Sequence, residues 1–291
     1  MPFTTARAVA MGVGEGRLRG NDLDRPFHGV RMPRTTVPTV AARCRAYAVR
    51  MRPVEAFSHR TAATLHGLPV PWSADAAIEV VVLGPHGLPR SRGVRGHRAD
   101  AATTAVVVID GVRVVAPVDT WLQLAAELGL RELVMIGDAL VRRRRPLAVM
   151  GDLVEAVSRH RGRRGHRALV EALALVRPGT DSPAETELRL DVVAFGLPEP
   201  VVNFDILDAS GRRIAIGDLA YPGYRILVEY DGDHHRANPG QYARDVDRLD
   251  DLAHAGWRVI RFNRSHRGIR RTRRLERVRD ALVAAGWKPP S

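Results

Sequence analysis

Two carboxylates eleven residues apart, Asp218 and Glu229, lie in the stretch GDLAYPGYRILVEYDGDHH at residues 217–235. Asp218 closes one apolar run and Glu229 lies near the end of the next. Tyr221-Pro222-Gly223 forms the turn between them. Adjacent strands of a hairpin can bring two such positions side by side. Side chains alternate along a strand, so Glu229 and Asp231 share one face while Val228 and Tyr230 point to the other. Arg225-Ile226-Leu227-Val228 is otherwise an apolar run, as a buried central strand requires. Carboxylates at the end of such a strand repel one another and are costly to bury unpaired. A divalent cation relieves both problems, and Mg²⁺ prefers oxygen ligands, often one or two carboxylates with water and a substrate phosphate. A metal so held activates water and neutralises charge developing on a phosphodiester, which points to hydrolysis with Mg²⁺ or Mn²⁺. The plainer reading leaves Asp218 and Glu229 as strand-end residues ion-paired with Arg225 or Arg244.

The elements that must position these groups follow Arg177-Pro178-Gly179-Thr180, which reads as a boundary. The pattern predicts a helix over 183–195, capped by Ser182 or Asp181, with Glu185 at capping-box spacing from Ser182. Strands are predicted at 201–207, 214–219 and 225–230, joined by the turns at Ser210-Gly211 and 221–223. A helix over 239–255 follows, with Val246, Leu249, Leu252 and Ala253 on one face and Gly256 as its stop. A fourth strand over 257–262 and a last helix over 272–285 complete the order α-β-β-β-α-β-α.

Three segments carry a resemblance in that same order: SPAETELR at 182–189, IGDLAYPGYRILVEYDGDHH at 216–235 and RDVDRLDDLAHAGWRVIRF at 244–262. Together they resemble the uncharacterised endonuclease-like family related to the very-short-patch-repair endonucleases, within the PD-(D/E)xK superfamily. The resemblance covers essentially all of 181–291 and implies a restriction-endonuclease-like core. It implies Asp218 and Glu229 as metal ligands with the Tyr230 carbonyl nearby, and Glu185 reaching the metal or its water. His234 or His235 would serve as general acid/base or phosphate contact. The chain departs from the superfamily where its lysine should stand, because Asp231 occupies that position. Lys288, in the C-terminal tail, is the only lysine among 45 basic residues. Arginine can supply the charge but not the base, so proton transfer falls to a histidine. Arg244 or Arg248 is placed to stabilise the phosphate. Arg189, which matches the family's helix pattern, reads equally as a structural partner for an acid or a DNA contact.

The 291-residue chain divides by pattern into 1–70, 71–180 and 181–291. Residues 181–291 hold 18 Lys and Arg against 17 Asp and Glu, which leaves +12 of the net +13 on the first 180 residues. The N-terminal part is therefore the better electrostatic surface for a phosphate backbone. Its segments GRLRGNDLDRPFHGVRMP and SHRTAATLHGLPVP look like the region that accompanies this nuclease domain in related proteins. More weakly, they resemble the winged-helix domain of AbiEi-type antitoxins, which would place a helix in a major groove. Residues 71–180 read as a small mixed β and helical module, with strands at 78–83, 105–109 and 112–115 and one helix over 119–143. His86 and His97 read as isolated loop histidines. The ten arginines between Arg258 and Arg279, among them Arg261, Arg270 and Arg271, join Arg248 as candidate DNA-backbone contacts. No apolar run is long enough for a membrane span. One cysteine, Cys44, excludes an intramolecular disulfide and a multi-cysteine zinc site, and fits a reducing cytoplasm. The expectation is thus an α/β metal-dependent DNA endonuclease acting in repair, defence or a toxin–antitoxin-like module; nothing in the residues separates DNA from RNA. The rival is an inactive, antitoxin-like DNA-binding regulator on a nuclease fold, which Asp231 favours.

Overall fold

The computed structural model describes residues 1–34, 39–71, 76–232 and 239–289, and for 239–244 the backbone alone. It is a mixed α/β protein of two compact units, 1–140 with 147–174, and 141–146 with 175–291. Among the described residues no helix is long and apolar enough to cross a membrane.

The first unit opens with β1 (Phe3–Thr4), α1 (Thr5–Ala10), β2 (Leu23–Asp24) and β3 (Val30–Pro33), the strands forming a small antiparallel sheet in the order β1-β3-β2. Next come α2 (Val40–Ala48), β4 (Glu55–Phe57), α3 (His59–Leu65), β5 (Ile78–Leu83), β6 (Val94–Ala99), β7 (Val106–Ile109) and β8 (Val112–Val115). These strands form one sheet in the order β6-β5-β4-β8-β7. Because β4 pairs with both β5 and β8, the sheet spans residue 70, where the sequence pattern drew a boundary. Asp110 and Gly111 close the β7–β8 hairpin with both φ angles positive, 47° and 78°, as a type I′ turn requires. Phe27, Tyr47 and Phe57 pack edge to face beneath the sheet. The thiol of Cys44 is fully buried, which pushes its pKa up to about 12 and leaves it inert.

Helices α4 (Pro117–Leu124), α5 (Leu130–Leu140), α6 (Met150–Arg159) and α7 (His166–Leu175) follow. The single helix predicted over 119–143 is in fact two. The chain leaves helix after Leu124 and restarts at Leu130, where the Glu132 carboxylate accepts the Gly129 amide at 2.9 Å. This local cap competes successfully with helix continuation.

The second unit runs α8 (Pro183–Ala194), β9 (Val201–Leu207), β10 (Arg213–Tyr221), β11 (Ile226–Asp231), α9 (Pro239–His254), β12 (Arg258–Asn263) and α10 (Ile269–Ala284). Its sheet has the order β12-β11-β10-β9, with β11 and β12 parallel and the other pairs antiparallel. One face buries Leu219, Tyr221, Ile226, Val228, Ile260 and Phe262 together with Leu188 and Val192 of α8 and Leu275 and Val278 of α10. The other buries Ile206, Ala220 and Leu227 with Leu252 of α9, flanked by Phe204 and Trp257. Each such aliphatic side chain contributes about 1.5–3 kcal/mol by leaving water.

Besides the register shift between Arg213 and Ala215, strict alternation fails near the middle of β10. Gly217 faces Leu227 and Ile206 on the α9 side, whereas Leu219, two residues on, lies on the α8 side with Val228. Opposite this break in β10, Asn203 of β9 has φ +47°, and Val202 and Phe204 on either side of it pack into different faces. Asparagine is among the residues that most readily adopt a left-handed backbone. The irregularity therefore lies at Asp218 itself.

Candidate functional site

Asp218 lies within β10 at this break, and its Oδ2 accepts the Tyr230 amide of β11 at 2.8 Å. The ladder pairs Leu219 with Val228, and one further step sets Asp218 across from Glu229. In the parallel direction Glu229 pairs with Arg261 and Asp231 with Asn263. Asp218 and Glu229 both lie inside their strands, Asp218 sixth of nine residues in β10 rather than closing the strand as the sequence pattern predicts, and Glu229 fourth of six in β11. Glu229 is only 5% exposed.

Glu185 joins them from the first turn of α8. Ser182 caps that helix through Oγ, which accepts the Glu185 amide at 3.2 Å. The Glu185 carboxylate accepts the Asp181 amide at 2.9 Å and the Asn203 side-chain amide at 3.0 Å. It thus serves as a helix-start acceptor while standing close enough to Asp218 to act on it electrostatically. The same Asn203 nitrogen donates to the Gly179 carbonyl at 2.8 Å. Asn203 was missed by sequence reading; an isolated amide in the apolar run VVNFDIL was the available signal.

Burial pushes the Asp218 carboxyl up to about 7, and the charges of Glu185 and Glu229 push the same way. The Tyr230 amide and the Arg248 guanidinium oppose the shift without cancelling it. Arg248, on α9, holds Glu229 in a two-pronged ion pair, and Arg261 Nε lies 3.7 Å from Glu229 Oε2. Arg248 is itself disfavoured by burial, but Glu229, Asp218 and Asp245 together raise its pKa above the ordinary value.

The other sequence-derived site residues fall as follows. Asp231 ends β11. His234 and His235 lie outside the described residues, and Arg244 is described only in its α9 backbone. Arg270 is exposed at the start of α10, whereas Arg271 is ion-paired with Asp191 and stacks 6.0 Å from the Phe262 ring centre. Arg225 points to the Ala255 carbonyl at 3.0 Å rather than to an acid. Arg189, 1% exposed, bonds Glu199 and the Leu175 carbonyl, a structural partner inside the unit.

Among the described residues no three His, Cys, Asp or Glu side chains are arranged as a ready metal cluster. Asp218 nonetheless suits a hard cation. It is a half-buried carboxylate crowded by two other acids and served by one main-chain N–H. Glu229 is a second oxygen donor whose negative charge Arg248 now balances.

No family model matches the chain. It is 30% identical over 152 residues to two Mycobacterium tuberculosis proteins described as uncharacterised, Rv2248 and, from another strain, MT2308. The match covers 52% of this chain and 55% of those proteins, so the chain spans about half the length of the curated relatives it matches. The crystal structure of the RV2827C protein of the same organism superposes with a TM-score of 0.41 at 16% identity, covering 72% of this chain and 84% of that one.

Proposed function

We propose that residues 175–291 form a metal-dependent phosphodiesterase of the PD-(D/E)xK kind, acting on DNA. The observation that carries the reading is the half-buried Asp218 beside Glu229 on the neighbouring strand, with Glu185 near enough for its charge, like that of Glu229, to add to the rise that burial gives the Asp218 pKa, to about 7. Glu185 and Glu229 also have structural partners, but their charges act on Asp218, and Mg²⁺ or Mn²⁺ would convert that repulsion into ligation. Asp218 and Glu229, with the Tyr230 carbonyl, would hold the ion. A bound ion supplies an activated water and neutralises charge on the phosphate. Asn203 holds Glu185 in place from β9. Arg248 and Arg261, which lie against Glu229, are the nearest described cations for a scissile phosphate.

A second reading has its own support. The Arg248–Glu229 pair already balances one carboxylate, and Asp231 stands where a lysine is expected, as in a nuclease fold turned to DNA binding and regulation. Incubating the full chain with supercoiled plasmid, mismatched and branched duplexes and RNA, with and without Mn²⁺, separates the two. The nuclease reading expects metal-dependent cleavage that Asp218→Asn and Glu229→Gln abolish while the proteins remain folded. Binding that needs no metal, with no cleavage of any substrate, selects the regulator.

A further inference from the structure

The first unit carries a second cluster of titratable side chains, independent of the acids around Asp218. His59 opens α3 with φ +49°, a left-handed backbone uncommon outside glycine that histidine adopts more often than most residues. Its amide donates to the Gln123 side chain of α4 at 3.1 Å, and its ring stacks on His97 of β6 with centres 3.7 Å apart. His97 was read from sequence as an isolated loop residue; the parallel pairing of β5 and β6 places it on a strand opposite Val81. Behind the stack lies Glu79, 5% exposed, whose Oε1 is 3.3 Å from His97 Nε2 and whose Oε2 accepts the Arg60 amide at 2.9 Å. The His97–Glu79 contact is an ion pair whenever the imidazole carries a proton. Burial opposes ionisation of Glu79, yet His97, the Arg60 amide and His59 hold it below the usual carboxylate range.

Both rings line a solvent-open cavity of about 460 Å³, bordered also by α4 and by the segment around His160 and Arg163. Two arginines of the lining, Arg98 and Arg163, are exposed and form no ion pair with an acid among the described residues. The hydroxyls of Thr103 and Thr104 complete the lining. Of its two acids, Asp100 accepts the Ala102 amide at 2.9 Å, while Asp119 accepts the Ala105 amide at 2.7 Å and lies 4.0 Å from the Arg159 guanidinium. The left-handed backbone at His59, the stacked imidazoles, the two arginines and the threonine hydroxyls thus gather hydrogen-bond donors around one cavity.

We propose that this cavity binds a phosphate monoester, with Arg98 and Arg163 taking the phosphoryl oxygens and the His59–His97 stack forming its inner wall. A monoester carries up to two charges on one small group, which suits a cavity lined by two arginines that have no acid partner among the described residues. A mononucleotide and the 5′-phosphorylated end of a nucleic acid strand present the same chemistry.

The test is calorimetric titration of the full chain, without metal, with inorganic phosphate, a nucleoside 5′-monophosphate, and one oligonucleotide bearing either a 5′-phosphate or a 5′-hydroxyl. Imidazole NMR resonances are followed in parallel. Saturable binding of a monoester is expected, with shifts confined to His59, His97 and His160. Arg98→Ala and Arg163→Ala should each weaken it about tenfold, while Arg7→Ala on α1 should not. Both arginines are on the surface, so their removal leaves the fold intact, which circular dichroism checks. Tighter binding of the mononucleotide than of the phosphorylated strand identifies a free nucleotide as the ligand, and the reverse order identifies a strand end. No saturable binding of any monoester, or equal affinity for the two oligonucleotides with no effect of the arginine variants, overturns the assignment.

Discussion

Titration of Asp218 ties metal binding, stability and pH together. Its ordinary value is 3.8; burial, reinforced by Glu185 and Glu229, places it at about 7. An acid raised in the folded state favours folding while protonated. Its contribution is fully present below about pH 4 and is lost as pH climbs through 7. The gap corresponds to at most about 4 kcal/mol, and the partial solvent access of the carboxyl lowers the working figure to about 2 kcal/mol. Without metal, Asp218→Asn should therefore raise stability at pH 8 by about 2 kcal/mol relative to wild type and change it little at pH 4. A cation that ligates Asp218 must displace this proton. Mn²⁺ affinity should then rise about tenfold per pH unit up to about 7 and level off above, with close to one proton released at pH 6. Urea unfolding at several pH values, with Mn²⁺ calorimetry in two buffers of different ionisation enthalpy, measures both. Affinity that is flat from pH 5.5 to 8 with no proton release, or an Asp218→Asn protein no more stable than wild type at pH 8, would refute the reasoning.

Three further outcomes follow from the same packing. Arg248→Ala should tighten Mn²⁺ binding at pH 8 about tenfold, because the ion no longer competes with a guanidinium for Glu229. It should also cost about 1–3 kcal/mol of metal-free stability by leaving a buried carboxylate short of a partner; calorimetry and urea unfolding read the two effects. Asn203→Ala loses the bonds to Gly179 and Glu185 and the side chain suited to φ +47°, for a cost of about 2–3 kcal/mol. Asn203→Gly keeps the backbone and should cost measurably less in the same assay. Gly217→Ala would drive a methyl into Leu227, costing about 1–3 kcal/mol by overpacking. Equal thermal midpoints for Gly217→Ala and wild type would contradict the close approach.

What could be read from the residues, and what could not, divides along physical lines. The elements of the second unit were legible because their periods are clear and their turns carry Gly or Pro, as at Ser210-Gly211 and Tyr221-Pro222-Gly223. The register of one hairpin was enough to bring Asp218 toward Glu229. The partner of Glu229 was not legible: Arg248 was read as a phosphate contact, and only the packing of α9 on the sheet sets it against that carboxylate. Arg271 likewise required α10 to pack beside α8, where Asp191 lies. In the first unit β6, VRGHRA, has neither alternation nor an apolar run, so its membership of the sheet depends on pairing with β5, and with it the meeting of His97 and His59. The break at Asn203 and Gly217 escaped for a related reason. A change of face within a strand is decided by which side chains fit on either side, and composition leaves no mark of it.

The short segment Val141–Pro146 has a practical consequence. Its Val141 carbonyl accepts the Gly179 amide, its Arg143 amide donates to Thr180, and the Arg143 side chain pairs with Asp181, one residue before the cap of the helix that carries Glu185. A recombinant fragment begun at residue 175 or 181 would discard these supports. Its helix start would fray, and Glu185 would lose the Asp181 amide that helps hold it. An inert truncation product would then report on missing scaffolding rather than on the chemistry of the acids, so only protein retaining residues 141–146 gives a fair trial of the Asp218 site.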